Sequence, residues 1–113
     1  SSWTNGNGSK RVVFALEGNS GKPRPVDSTT YYPNSAFGLG TQIDTSGWYC
    51  VYNGTGNSVT LTNLMPGTQY TAQVFEYNGP SYDELYNITK AFNNPNNFTS
   101  LYSQEQHQAR FLL

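Results

Sequence analysis

Hydrophobic and polar positions alternate along much of the chain with a period of two. From Ser58 to Leu64, Val59 and Leu61 point one way with Leu64 closing the row, while Ser58, Thr60 and Thr62 point the other. That is the pattern of a half-buried strand. From Tyr70 to Tyr77 the alternation resumes, with Tyr70, Ala72 and Val74 on one face and Thr71, Gln73, Phe75 and Tyr77 on the other. Arg11 to Glu17 (RVVFALE) is apolar throughout and reads as a central strand covered on both faces. Trp48 to Tyr52 (WYCVY) and Tyr86 to Phe92 (YNITKAF) are further strands. Turn-forming runs separate them, such as Asn53-Gly54-Thr55-Gly56-Asn57 and Asn78-Gly79-Pro80. No segment sustains a 3.6-residue apolar period, and only Glu105 to Leu112 could form a helical turn or two. Short strands joined by Gly/Asn/Pro turns predict an all-β sandwich or barrel.

One segment breaks the spacing. Gly18 to Gly47 is irregular, contains Pro23, Pro25 and Pro33, and has one strand-like piece near Ser28 to Tyr32. A loop of that length inside a small domain is functional or an elaboration of the fold.

Composition narrows the class. At 113 residues the chain is one domain, able to bury roughly two-thirds of its unfolded surface. Net charge is −1 and 12% of residues are charged, so a nucleic-acid partner is not expected. Mean hydropathy is −0.61, so uncharged polar residues supply solubility, as suits an extracellular β-protein. No run is apolar enough for membrane insertion. The single cysteine, Cys50, allows no intrachain disulfide and reads as a buried thiol. Sequons occur at Asn7, Asn53, Asn87 and Asn97.

Catalytic patterns do not assemble. His107 is the only histidine, which leaves no multi-histidine metal site and poor support for a triad. Gly18-Asn19-Ser20-Gly21-Lys22 echoes a phosphate loop, but its glycines are too close and Pro23 follows the lysine. Asp83 and Glu84 are adjacent and would point to opposite sides of a strand. The reading is a non-enzyme with no cofactor and no metal.

The turn between the two alternating strands carries Leu64, Pro66, Gly67 and Tyr70 as L-x-P-G-x-x-Y. Pro66 stiffens the turn and Gly67 permits an unusual backbone. Tyr70 fits a corner tyrosine, its ring in the core and its hydroxyl bonded to backbone upstream. With this corner the chain resembles a fibronectin type III domain, an immunoglobulin-like β-sandwich. Trp3 matches the core tryptophan of strand B, Arg11–Glu17 strand C, Trp48–Tyr52 strand C′, Ser58–Leu64 strand E, Tyr70–Tyr77 strand F and Tyr86–Phe92 strand G. The runs SWTNGNGSKRVV, PVDSTTYYPNSAFGLGTQI and VYNGTGNSVTLTNLMPGTQYTAQVFEYNG resemble more closely a variant of large bacterial secreted and surface proteins. The resemblance covers residues 1–97 and leaves 98–113 as a tail.

The resemblance implies a core of Trp3, Val59, Leu61, Ala72 and Val74. It also implies a departure, because strand A and most of strand B are lacking beside strand E. The chain is then a piece of a longer protein, or the tail supplies the strand, or another chain donates it. In the last two cases Leu101, Phe111 and Leu113 are candidate core plugs. A spacer or protein-interaction module of a secreted or cell-surface protein is expected, positioning neighbouring domains or subunits. One alternative is a glycan-binding or adhesive module using outward aromatics at Trp48, Tyr52, Phe75 and Tyr77. Another is a filament subunit joined by strand exchange.

Overall fold

A computed structural model describes residues 8–88, 96–100 and 108–110, with backbone only for residues 96 and 108–110. The described residues contain seven strands and no helix. They are β1 (Lys10–Glu17), β2 (Tyr49–Gly54), β3 (Thr60–Thr62), β4 (Gln69–Asn78), β5 (Leu85–Tyr86), β6 (Asn96–Thr99) and β7 (Gln108–Arg110). The main sheet is antiparallel in the order β2-β1-β4, and β5 and β6 share the far edge of β4. β5 pairs with the end of β4 at Tyr77 and Asn78, and β6 with its start from Gln69 to Ala72. β3 pairs with β7 in a separate ribbon.

β1 and β4 lie in full register, from Lys10 opposite Tyr77 to Glu17 opposite Tyr70. Each buries six consecutive residues, which accounts for the apolar run of β1 and shows that both faces of β4 are covered although its sequence alternates. The pleat sends Val13, Ala15, Tyr70, Ala72 and Val74 to one face, where they pack with Val51, Leu61 and Leu64. It sends Val12, Phe14, Leu16, Phe75 and Tyr77 to the other, where they pack with Trp48, Cys50, Tyr31, Ile43 and Tyr86. The sheet therefore has a hydrophobic cluster on each side. β3 and the corner cover the first, and the segment between β1 and β2 covers the second.

That segment is anchored along β2. The Cys50 amide donates to Thr41 O at 2.8 Å, the Ile43 amide to Trp48 O at 2.9 Å and the Asn34 amide to Cys50 O at 3.1 Å. It then rounds the edge of β2 and meets β3, where the Thr62 amide donates to Ser35 O and the Phe37 amide to Thr62 O, both at 2.9 Å. One irregular stretch thus shields an edge strand and ties the two layers together. Gly40 is required where it passes β2, because a Cβ there would overlap the Cys50 carbonyl oxygen.

Several expected boundaries shift. The piece near Ser28 to Tyr32 is not a strand, and Ser28 has φ 63°. Strand pairing after the corner is split between Leu85–Tyr86 and Asn96–Thr99, so a division after residue 97 cuts through β6. Gln108 to Arg110 are extended rather than helical, with Leu61 opposite Ala109. A stretch of the tail thus lies beside β3. Trp3, Leu101, Phe111 and Leu113 lie outside the described residues.

Candidate functional site

The corner is built on Tyr70. Its ring is buried, and its hydroxyl accepts from the Met65 amide at 2.8 Å. Burial, more than any other influence, pushes that hydroxyl's pKa up. Leu64 is buried beside it, and Gly67 has φ 64°, a conformation that favours glycine. Phe98 of β6 stacks on the Tyr70 ring with centroids 5.7 Å apart. Ser100 then closes the turn. Its amide donates to Thr68 O and its carbonyl accepts from the Gly67 amide, both at 3.0 Å, and its hydroxyl donates to Met65 O. Neither Phe98 nor Ser100 belongs to the local motif, so no short-range pattern marks them. Of the remaining core residues, Leu61, Ala72 and Val74 are buried and Val59 is half-buried against the same cluster.

The aromatic surface expected at Trp48, Tyr52, Phe75 and Tyr77 is not exposed. Trp48, Phe75 and Tyr77 are 1%, 3% and 4% exposed. The Gly18–Gly47 segment lies over them, with Tyr31 and Ile43 in the same cluster. Tyr52 is on the opposite face for a separate reason. The β1–β2 register slips by one residue, since Val13 faces Tyr52 but Phe14 faces Cys50. Val51 is the extra residue, and such a bulge re-aims the side chains that follow it. Tyr52 packs against the aliphatic cluster, and its hydroxyl accepts from the Gly56 amide at 2.6 Å. Asn53 takes the place on the aromatic side instead. Its amide donates to Tyr31 O at 2.9 Å, and its carbonyl oxygen accepts from the Tyr77 hydroxyl.

Tyrosine hydroxyls hold the covering segment down. The Val26 amide donates to the Tyr31 hydroxyl at 3.0 Å, and the Tyr86 hydroxyl donates to Thr29 O at 2.6 Å. Burial comes first among the causes that push the Tyr31, Tyr77 and Tyr86 hydroxyls upward, and the nearby Glu84 carboxylate adds to each. The Cys50 thiol is pushed up to about 12, chiefly by burial, which leaves it protonated and unreactive at neutral pH.

The aromatics that reach solvent lie elsewhere. Tyr32 is 57% exposed and Tyr82 64%, and their hydroxyls share a hydrogen bond of 2.9 Å. That bond is the leading cause of an upward shift in the Tyr32 hydroxyl's pKa. The Tyr82 amide donates to Thr30 Oγ1 at 3.0 Å, and Thr30 Oγ1 donates to the buried Glu84 carboxylate. Periodicity could not find this pair, because both tyrosines lie in irregular segments that meet only through the fold.

Among the described residues no three His, Cys, Asp or Glu side chains group to hold a metal ion. No helix there is long and apolar enough to cross a membrane. Comparison of the chain with family models, with curated proteins and with solved structures gives no match.

Proposed function

We propose that this chain is a fibronectin type III-like β-sandwich that serves as a non-catalytic spacer or protein-interaction module in a secreted or surface multidomain protein. The strand order supports the fold assignment. β2, β1 and β4 correspond to C′, C and F, β5 and β6 together to G, and β3 to E on the opposing layer. The Tyr70–Met65 bond supplies the corner. β7 beside β3 occupies the edge where strand B would run.

One observation carries the functional reading: both faces of the main sheet are closed by the chain itself. Side chains that could recognise or transform a ligand from a strand face, Trp48, Phe75, Tyr77 and Cys50 among them, are spent on packing and internal hydrogen bonds. A body tied across both layers suits the fixed separation of its neighbours.

The test is sedimentation of the purified chain over a wide concentration range, together with turnover assays on chromogenic ester, phosphate, glycoside and peptide substrates. A compact monomer at every concentration and no turnover is the expected result. Turnover that co-purifies with the chain would overturn the reading. Reversible association that is lost when residues 108–113 are deleted would replace it with a subunit joined by strand exchange.

A further inference from the structure

We infer that the exposed Tyr32–Tyr82 pair is a stacking site for a neutral, gluco-configured oligosaccharide. The inference stands apart from the spacer reading, since a spacer can carry such a site or lack it.

The pair is presented at a cost. Tyr82 has φ 69°, and Ser28 on the facing segment has φ 63°. Bulky residues in this region are strained by about 1–3 kcal/mol. The strain is held by bonds between the two segments. The Ser28 amide donates to Glu84 O at 2.8 Å, the Tyr82 amide to Thr30 Oγ1 at 3.0 Å, and the Asp83 amide closes its own turn onto Pro80 O at 2.9 Å. Below them the Tyr86 hydroxyl holds Thr29 O. A strained backbone that ends in a ring 64% exposed gains nothing from burial. It does gain preorganisation, because both rings are fixed before any ligand arrives.

The chemistry fits a sugar. The two hydroxyls bond each other and more than half of each residue is exposed, so aromatic surface and O–H groups are presented to solvent together. A gluco-configured pyranose has equatorial hydroxyls, so it shows a C–H face for stacking and a hydroxyl rim for hydrogen bonds. The same segments expose Asp83 and Asp27, and Asp27 Oδ1 accepts from the Tyr86 amide at 2.9 Å. The remaining carboxylate oxygens can accept from the hydroxyls of a sugar, and their charge disfavours an anionic ligand.

The experiment is an amide-resolved NMR titration of the 15N-labelled chain with cellohexaose and with chitohexaose, and separately with decaproline. Shifts from at least one hexasaccharide, confined to residues 26–32 and 80–86, are expected. Tyr32→Ala and Tyr82→Gly should each weaken that binding about tenfold or more. Tyr82→Gly suits the positive φ, so its thermal midpoint should hold or rise, and loss of binding there is not loss of fold. Leu39→Ala, at an exposed apolar position elsewhere, should change nothing. No shift with either sugar, shifts that persist in Tyr82→Gly, or shifts at these residues from decaproline alone would overturn the inference.

Discussion

The two faces of the main sheet are equally dry but are closed in different ways. On one side, aliphatic residues and Tyr70 meet β3 and its corner, and regular strand geometry sets the spacing. On the other, four tyrosines and phenylalanines of β1, β4 and β5 meet an irregular segment of the chain. Aromatic edges fill the second space. Tyr31 stands edge-on to Phe14 with centroids 5.0 Å apart, and Tyr86 lies 5.8 Å from Tyr31. A loop cannot satisfy its own backbone as a strand does. Here tyrosine hydroxyls and an asparagine amide do part of that work at Val26, Thr29 and Tyr31. Large rings with polar tips are suited to a cover that has no ladder of its own.

The sharpest way to break this comparison is to truncate one anchor on each face. Phe75→Ala and Leu61→Ala should both be strongly destabilising, by about 3–5 and about 2–5 kcal/mol, because both side chains are buried in packed surroundings. Chemical denaturation gives both values. If Phe75→Ala changed stability by less than about 0.5 kcal/mol, as a surface substitution does, the covering segment would be open in solution and the aromatic face would be a surface after all.

The same contrast explains what could be read from the chain. Alternation located β3 and β4, and the L-x-P-G-x-x-Y run marked the corner, because those signals are local. The side of the sheet on which Phe75 and Tyr77 lie was also legible, but whether that side is wet was not. Period two separates two faces without saying what covers either one. The cover consists of residues 18–47, which have no period, and their attachment depends on bonds such as Cys50 N–H to Thr41 O that no sequence spacing encodes. Tyr52 was misplaced by a bulge, a one-residue slip that a regular alternation cannot show. The Tyr32–Tyr82 pair was hidden for a related reason, since its members are 50 residues apart and meet only when the cover docks.

Removing one hydroxyl at a time sharpens the comparison at smaller cost. Tyr70→Phe leaves the Met65 amide without its acceptor at the joint between layers, and should cost about 1–2 kcal/mol of global stability. Tyr86→Phe removes the bond to Thr29 O, and should cost about 1 kcal/mol. The two should differ in where the loss appears. Native-state hydrogen exchange should show Tyr86→Phe speeding exchange mainly in the covering segment, and Tyr70→Phe lowering protection across β1 and β4 together. Equal, global loss in both variants would mean that the cover and the sheet unfold as one unit.

The smallest effect concerns pH, and it isolates the aromatic face. Cys50 lies in that cluster, and burial raises its thiol from 9.0 to about 12. The folded chain therefore keeps the thiol protonated where the unfolded chain has ionised it, and the unfolded state binds fewer protons. This contribution to stability is intact below pH 9 and is lost progressively as pH rises toward about 12. Tyr31, Tyr70, Tyr77 and Tyr86 act with the same sign, beginning about one pH unit below their ordinary value of 10.0 and growing above it. Between pH 9 and 10 the thiol should contribute a fall of at most about 1 kcal/mol, on top of a loss of similar size from the tyrosines. Cys50→Ala should flatten the slope in that interval, whatever its effect on absolute stability, and leave the steeper loss above pH 10 in place. An unchanged slope between pH 9 and 10 would show that water reaches the thiol, and that the loop-covered face is less dry than the face closed by β3.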